Sequence, residues 1–140
     1  MFDLNDKIAI VTGASQGIGK KIAIKLSERG AFVCCISRNK KAIDSVSNSI
    51  IKNGGQSSSY ACDISDSDDF KNIAEKIVKK HNKIDILINN AGVTKDALLM
   101  RMSNQQWDQV IDTNLKGAFT CIKSVVRYMM KNKYGRIINI

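Results

Sequence analysis

The stretch Thr12-Gly13-Ala14-Ser15-Gln16-Gly17-Ile18-Gly19 constrains this chain more than any other. It follows Lys7-Ile8-Ala9-Ile10-Val11, a short apolar run expected to form a buried strand, and leads into Ile18, Ile22 and Leu26, spaced as the stripe of a helix. Strand, glycine turn and helix, in that order, make a phosphate cradle. The first turn of a helix has N–H groups without partners and carries about half a positive charge, so an anion docked there meets donors and a favourable dipole. Gly13 is expected to supply the tight turn, Gly17 the bare approach to a ligand and Gly19 the close packing of the helix. The spacing is Gly-x-x-x-Gly-x-Gly and not Gly-x-Gly-x-x-Gly. Taken alone, it also suits a tight strand-to-helix connection that binds nothing.

The rest of the chain alternates in the same way. Residues 31–36 are expected to form a second buried strand, ending at Ser37-Arg38-Asn39. In a dinucleotide fold this strand tip meets the adenosine ribose, where a carboxylate selects NAD. Here there is no carboxylate, and Arg38 offers a cationic fork suited to a 2′-phosphate, which favours NADP. Ile43, Val46 and Ile50 mark a second helix, and residues 57–61 a weak third strand running into Cys62-Asp63-Ile64. Asp66, Asp68 and Asp69 open a third helix and Lys79, Lys80 and His81 close it, the charge order a helix dipole prefers. Its inward stripe is Phe70, Ile73, Ala74, Ile77 and Val78.

Residues 84–88 are expected to form a fourth strand, broken by Asn89-Asn90-Ala91-Gly92 at the carboxyl edge of the sheet, where ligands bind in such folds. Ser103 and Gln106 resemble a capping box, placing Trp107, Val110 and Ile111 inward. Asn114 falls on the same face, as a core asparagine in need of partners. The stripe continues through Leu115, Ala118, Phe119, Ile122, Val126 and Met129 to Tyr134-Gly135, and a fifth strand begins at Arg136. Strands separated by helices imply an α/β, Rossmann-type doubly wound parallel sheet covered on both faces.

Composition excludes several function classes. At 140 residues with 44% hydrophobic and 25% charged side chains, the chain makes a single domain with a real core. It has no apolar run of membrane-spanning length and no secretion-signal layout at its start, so it is expected to be intracellular, in the cytoplasm or an organelle matrix. Cys34, Cys35, Cys62 and Cys121 form no Cys-x-x-Cys pair, and His81 is the only histidine, which argues against a disulfide framework or a metal site. The net charge of +9 is spread over several helices without interleaved aromatics, a poor pattern for nucleic acid.

The glycine turn, Cys62-Asp63-Ile64, Asn89-Asn90-Ala91-Gly92 and Asp112-Thr113-Asn114-Leu115, in this order, resemble the short-chain dehydrogenase/reductase family. The stretch from Val93 to Met102 and that from Tyr134 to Ile140 resemble its 3-oxoacyl-acyl-carrier-protein reductase branch. The resemblance implies NADPH-dependent reduction of a 3-oxoacyl group on acyl carrier protein, in fatty acid synthesis. By it, Thr12, Gly13, Ala14, Ser15, Gln16, Gly17, Ile18 and Gly19 hold the pyrophosphate and adenosine ribose, and Arg38 the 2′-phosphate. Asp63 and Ile64 flank the adenine, while Asn90, Ala91 and Gly92 line the nicotinamide ribose. Asn114 kinks its helix and supports a proton relay. Gln16 departs from the second basic residue that many NADP-using relatives carry, so NADP preference rests on Arg38. The family's tyrosine and lysine, four positions apart, have no counterpart: Tyr60, Tyr128 and Tyr134 are followed at that spacing by Ile64, Asn132 and Ile138. Tyr128 and Lys131 stand one residue too close.

The expectation is therefore that residues 1–140 are the NADP-binding first part of a longer, homotetrameric reductase, inactive and marginally stable alone. Lys133 and Arg136 fall where the resemblance implies a basic docking surface for the acidic carrier protein. Another short-chain reductase with a different ketone or alcohol substrate, and a non-catalytic dinucleotide-binding fragment, stay open as alternatives.

Overall fold

The computed structural model describes residues 3–140. The elements run β1 (Ile8–Thr12), α1 (Gly17–Glu28), β2 (Phe32–Ser37), α2 (Lys40–Lys52), β3 (Gln56–Ala61), α3 (Ser67–His81) and β4 (Ile86–Asn89). A 3-10 turn at Leu99–Arg101, α4 (Asn104–Val110), a π-helical turn at Ile111–Lys116, α5 (Gly117–Lys131) and β5 (Arg136–Asn139) follow. The five strands form one parallel sheet in the order β3-β2-β1-β4-β5. This is the Rossmann-type doubly wound architecture anticipated from the alternating pattern.

Strand alternation divides the core into two layers. Ile8 and Ile10 of β1 face Phe70, Ile73 and Ile77 of α3 and Cys121, Val125 and Met129 of α5. Ala9 and Val11 face Ala23 of α1 and Ile43, Val46 and Ile50 of α2. Each fully buried side chain of Phe or Ile size contributes about 1.5–3 kcal/mol. An exposed ion pair such as Lys25–Glu28 contributes about 0–1 kcal/mol, so packing and not surface charge holds the helices on. One buried charge is built in: Asp85 accepts from the backbone N–H of Ile8 at 2.8 Å and pairs with Lys83 at 3.2 Å, tying the start of β1 to the approach to β4.

Several elements depart from the sequence reading. α1 buries Gly19, Ala23 and Ser27 most deeply, with Ile22 and Leu26 half-buried against the same core, whereas Ile18 is 61% exposed. Small residues at every fourth position bring that helix close to the sheet, with Ile22, Ile24 and Leu26 packing at its flanks. β3 is a half-buried edge whose serines bond inward, Ser57 Oγ donating to the Val33 carbonyl at 2.9 Å and Ser59 Oγ to Asp44 at 2.6 Å. β4 starts at Ile86, two residues later than expected, with Ile84 and Asp85 buried ahead of it.

The largest difference lies in the last helices. Trp107, Leu115, Phe119 and Val126, expected inside, are exposed, and α5 buries Gly117, Thr120, Cys121, Val125 and Met129. A single 3.6-residue phase carried through the whole stretch ignores the π turn between α4 and α5, which adds a residue and resets the buried face.

All four cysteines are free and buried. Burial pushes the Cys34 and Cys121 thiols up to about 12 and Cys35 to about 11, and raises Cys62 further, with help from Asp69. None is a thiolate nucleophile at neutral pH. Among the described residues no helix is long and apolar enough to cross a membrane, and no cluster of side chains is arranged to hold a metal.

Candidate functional site

Strand order reverses at β1, whose chain neighbour β2 lies on one side and β4 on the other, and the crevice outside the carboxyl ends of these strands is where such sheets bind ligands. A cleft of about 830 Å³ opens there. Gly13, Ser15, Gln16, Gly17, Ile18, Arg38, Asp63, Ile64, Asn90, Ala91 and Gly92, from separate loops, all line it.

The glycine turn is built by contacts that serine or alanine could not make. Gly13 has φ of +64°, and a Cβ there would lie 2.8 Å from the Ala91 Cα. Gly19 carries no such strain, yet a Cβ would drive into the Gly13 carbonyl and the Asn90 amide. Gly17 has φ of +56°, and a Cβ added to it would meet nothing within 4 Å, so its bare face belongs to the cleft.

Helix capping marks the same place. Asn39 caps α2, Asp66 caps α3 and Ser103 caps α4 with a full capping box, whereas α1 begins at Gln16 with no side-chain cap. The leading N–H groups of α1 are left for a ligand, and an anionic diphosphate satisfies both them and the dipole. Bare glycine, uncapped helix and open cleft together fit a dinucleotide.

Three of the expected binding residues do not face the cleft. Ala14 is fully buried, its N–H bonded to the Ile36 carbonyl at 3.1 Å, which straps the turn to β2. Gly19 packs beneath the turn. Thr12 is also buried: its hydroxyl donates to the Ile88 carbonyl at 3.3 Å and accepts from the N–H groups of Asn90 at 3.1 Å and Ala91 at 3.0 Å. These three hold the turn in shape, because a turn this tight needs its own backbone satisfied.

Asn90 does both. It lines the cleft while its Nδ2 donates to the Thr12 and Gly13 carbonyls, each at 3.2 Å. Arg38 is exposed at the tip of β2 and forms no ion pair with any described residue. Asp63 accepts from the Ser65 hydroxyl at 2.7 Å and its N–H at 3.0 Å. The Ser65 hydroxyl is the main cause holding this carboxyl below its ordinary range, with Arg38 adding a smaller attraction.

Asn114 is not a core amide. It sits on the π turn, exposed, with its Oδ1 accepting from the Val93 N–H at 2.8 Å and its Nδ2 donating to the Val93 carbonyl at 3.0 Å. This two-point clasp fixes the loop leaving β4. The helix is distorted here, as the resemblance implied. Val93 and Thr113 line the cleft and were missed as site residues, as were Ser37, Asn39 and Cys62. The signal for the last three was their position beside Arg38 and Asp63. Val93 contributes through its backbone, which side-chain chemistry does not announce.

A protein-family model described as short chain dehydrogenase matches residues 7–140. The 3-oxoacyl-[acyl-carrier-protein] reductase FabG of Thermotoga maritima is 40% identical over 137 residues, 98% of this chain and 56% of that protein. Its namesake from Staphylococcus epidermidis is 43% identical over 136 residues, 96% of this chain and 56% of the relative. This chain thus spans little more than half the length of the curated relatives it matches. Among solved structures, a metagenomic short-chain oxidoreductase in complex with NADP superposes with a TM-score of 0.93 at 38% identity, covering 97% of this chain and 62% of that one. NAD+-bound xylitol dehydrogenase also gives 0.93, at 32% identity, with 97% and 53% coverage. Fold, cleft and sequence agree: the chain belongs to the short-chain dehydrogenase family.

Proposed function

We propose that this chain is the dinucleotide-binding part of an NADPH-dependent oxidoreductase that reduces the 3-oxoacyl group on acyl carrier protein to the 3-hydroxyacyl group in fatty acid synthesis. The observation that carries the reading is the uncapped amino end of α1, facing across bare Gly17 a cleft also lined by Arg38, which forms no ion pair among the described residues. The reductase relatives support the substrate class. The NADP and NAD+ complexes among the structural neighbours leave the choice of nucleotide to Arg38, whose fork suits a 2′-phosphate.

In this reading the α1 N–H groups and Gly17 bind the diphosphate. Asp63 and Ile64 border the adenine, and Asn90, Ala91 and Gly92 the nicotinamide ribose. NADPH, when bound, supplies hydride to the substrate carbonyl. Asn114 holds Val93 and so fixes the floor of the cleft at that end. With no Tyr-x-x-x-Lys in its 140 residues, the chain by itself binds the nucleotide without turning over ketone, since a positioned general acid is needed as well. The exposed apolar face formed by Leu115 of the π turn with Phe119, Val126 and Met130 of α5 suits assembly of the whole reductase into a homotetramer. Lys133 and Arg136, both exposed, suit an acidic carrier protein. Its setting is the cytoplasm or the matrix of a fatty-acid-synthesising organelle.

Titrating the 140-residue chain into NADPH, read by nicotinamide fluorescence, tests the reading. Saturable binding, tighter than for NADH, is expected. Failure to bind either nucleotide would remove the proposal, and tighter binding of NADH would overturn the choice of cofactor.

A further inference from the structure

A groove of about 500 Å³ runs between α3 and α5, on the face of the sheet opposite α1 and α2. Its charged and aromatic walls are Asp68 and Lys71 from α3, Lys116 from the π turn, and Phe119, Lys123 and Arg127 from α5. Lys116, Lys123 and Arg127 recur at helical spacing, so they share one face over about 16 Å, or about three turns. With Lys71 across from them, the lining holds four cations and one carboxylate.

Lys71 and Lys123 form no ion pair among the described residues, and the Lys123 ammonium lies 5.8 Å from the centre of the Phe119 ring. Lys116 reaches Asp112 at 4.0 Å and Arg127 reaches Glu75 at 3.6 Å, exposed pairs that contribute little and exchange for another carboxylate at little cost. Phe119, 61% exposed, supplies an aromatic centre inside this rim of charge, the layout of a protein-binding surface. A second copy of a chain carrying a net charge of +9 would meet like charge here, whereas an acidic partner meets its complement.

The groove also leads to the nucleotide cleft. α3 begins three residues after Ile64, and Lys116 follows three residues after Thr113, both of which line that cleft. A Cβ on Gly117 would lie 2.7 Å from Ile64 Cδ1, so the first turn of α5 rests directly on the cleft wall. α5 then runs to the amino edge of the sheet, where Arg136 opens β5.

We propose that the acidic carrier protein docks with a helix laid along this groove, its carboxylates on Lys71, Lys116, Lys123 and Arg127 and an apolar side chain on Phe119. A furrow between two helices, with cations on both walls and an aromatic between them, is suited to an amphipathic acidic helix. The acyl group then enters the cleft past Lys116. This assignment rests on the reductase reading, and it extends the docking surface from Lys133, beyond the end of α5, to the mouth of the cleft.

Titrating purified acyl carrier protein into the isotope-labelled 140-residue chain tests it by NMR. Amide signals of residues 67–71 and 116–127 are expected to shift, with an affinity that falls as salt rises. Lys71→Glu/Lys123→Glu is expected to weaken binding about tenfold or more. Lys25→Glu/Lys52→Glu makes the same change of charge on the opposite face, and is expected to weaken it less than about threefold. NADPH titration of both variants reports that they are folded, since none of the four lysines lines the cleft. Equal weakening in the two variants, or shifts confined to Lys133 and Arg136, overturns the groove while leaving the carrier as partner. Self-association of the chain that is lost in Lys71→Glu/Lys123→Glu assigns the groove to a second copy and overturns the proposal. No binding of the carrier at all removes both the groove and the partner, and the nucleotide reading is then judged by its own titration. If the groove variant fails to fold, the shifts in the unaltered chain decide.

Discussion

Replacing Gly17 by alanine separates the stability of the glycine turn from its grip on a ligand. At φ of +56° an alanine pays about 1–2 kcal/mol for left-handed backbone. Loss of glycine's freedom in the unfolded chain offsets about 0.4–1 kcal/mol of that. Nothing lies within 4 Å of the added methyl, so no clash is added and the net loss is about 1 kcal/mol, a fall in Tm of roughly 3–5 °C. Gly13→Ala meets the same backbone strain at +64°, and its methyl lies 2.8 Å from the Ala91 Cα and 3.0 Å from the Ala91 nitrogen. Backbone atoms cannot swing away as a side chain can, so overpacking adds about 1–3 kcal/mol and the total reaches about 2–4 kcal/mol. That is a large share of the roughly 5–15 kcal/mol typical of a domain. For NADPH the order reverses among folded variants: the Gly17 methyl projects into the cleft, and affinity falls by about tenfold or more, equivalent to about 1.4 kcal/mol. Thermal melts and NADPH fluorescence titrations on the two variants read both quantities. Equal loss of Tm in the two variants, or an unchanged Kd in Gly17→Ala, would refute the reasoning.

Arg38→Glu is expected to weaken NADPH binding about 10- to 150-fold, as loss of a charge-assisted contact of about 1.5–3 kcal/mol, while sparing NADH; an unchanged ratio of the two affinities would show that Arg38 does not read the phosphate. Thr12→Val keeps the side-chain shape but strands the N–H groups of Asn90 and Ala91, so urea denaturation should show a loss of about 2–5 kcal/mol, and a loss below about 0.5 kcal/mol, the scale of surface substitutions, would contradict the strap. Burial, with Lys80 adding repulsion, holds the His81 imidazole below its ordinary 6.5. The unfolded chain therefore takes up a proton that the folded one resists, and His81's share of stability, full above pH 6.5, declines as pH falls through that value and levels off below the folded pKa. Melts across about pH 5–8 should show this slope, and His81→Gln should flatten it; an identical profile in the variant would exclude His81 as the source.

Local chemistry made much of this protein legible before any coordinates. Continuous apolar runs bounded by turn residues announced β1, β2 and β4 because strands buried on both faces have no polar alternation to disguise them. Asp66 and Ser103 marked the starts of α3 and α4 because a cap is a contact within one turn of chain. Gly13, Gly17 and Gly19 declared the cradle because only glycine serves there, and Arg38 stood out as the basic residue at a strand tip. Which members of the glycine motif line the cleft was a tertiary decision: Thr12, Ala14 and Gly19 turned out to be committed to β2, β4 and the Asn90 turn, through partners up to 79 residues away. So was the buried face of α5, since an amphipathic pattern records apolar spacing but not the phase reset of a π turn. Asn114 shows the division most clearly. Its residue type and place on the helix are written in the chain, but its partner is the backbone of Val93, 21 residues earlier, and only the packing of α5 beside the end of β4 brings the two together.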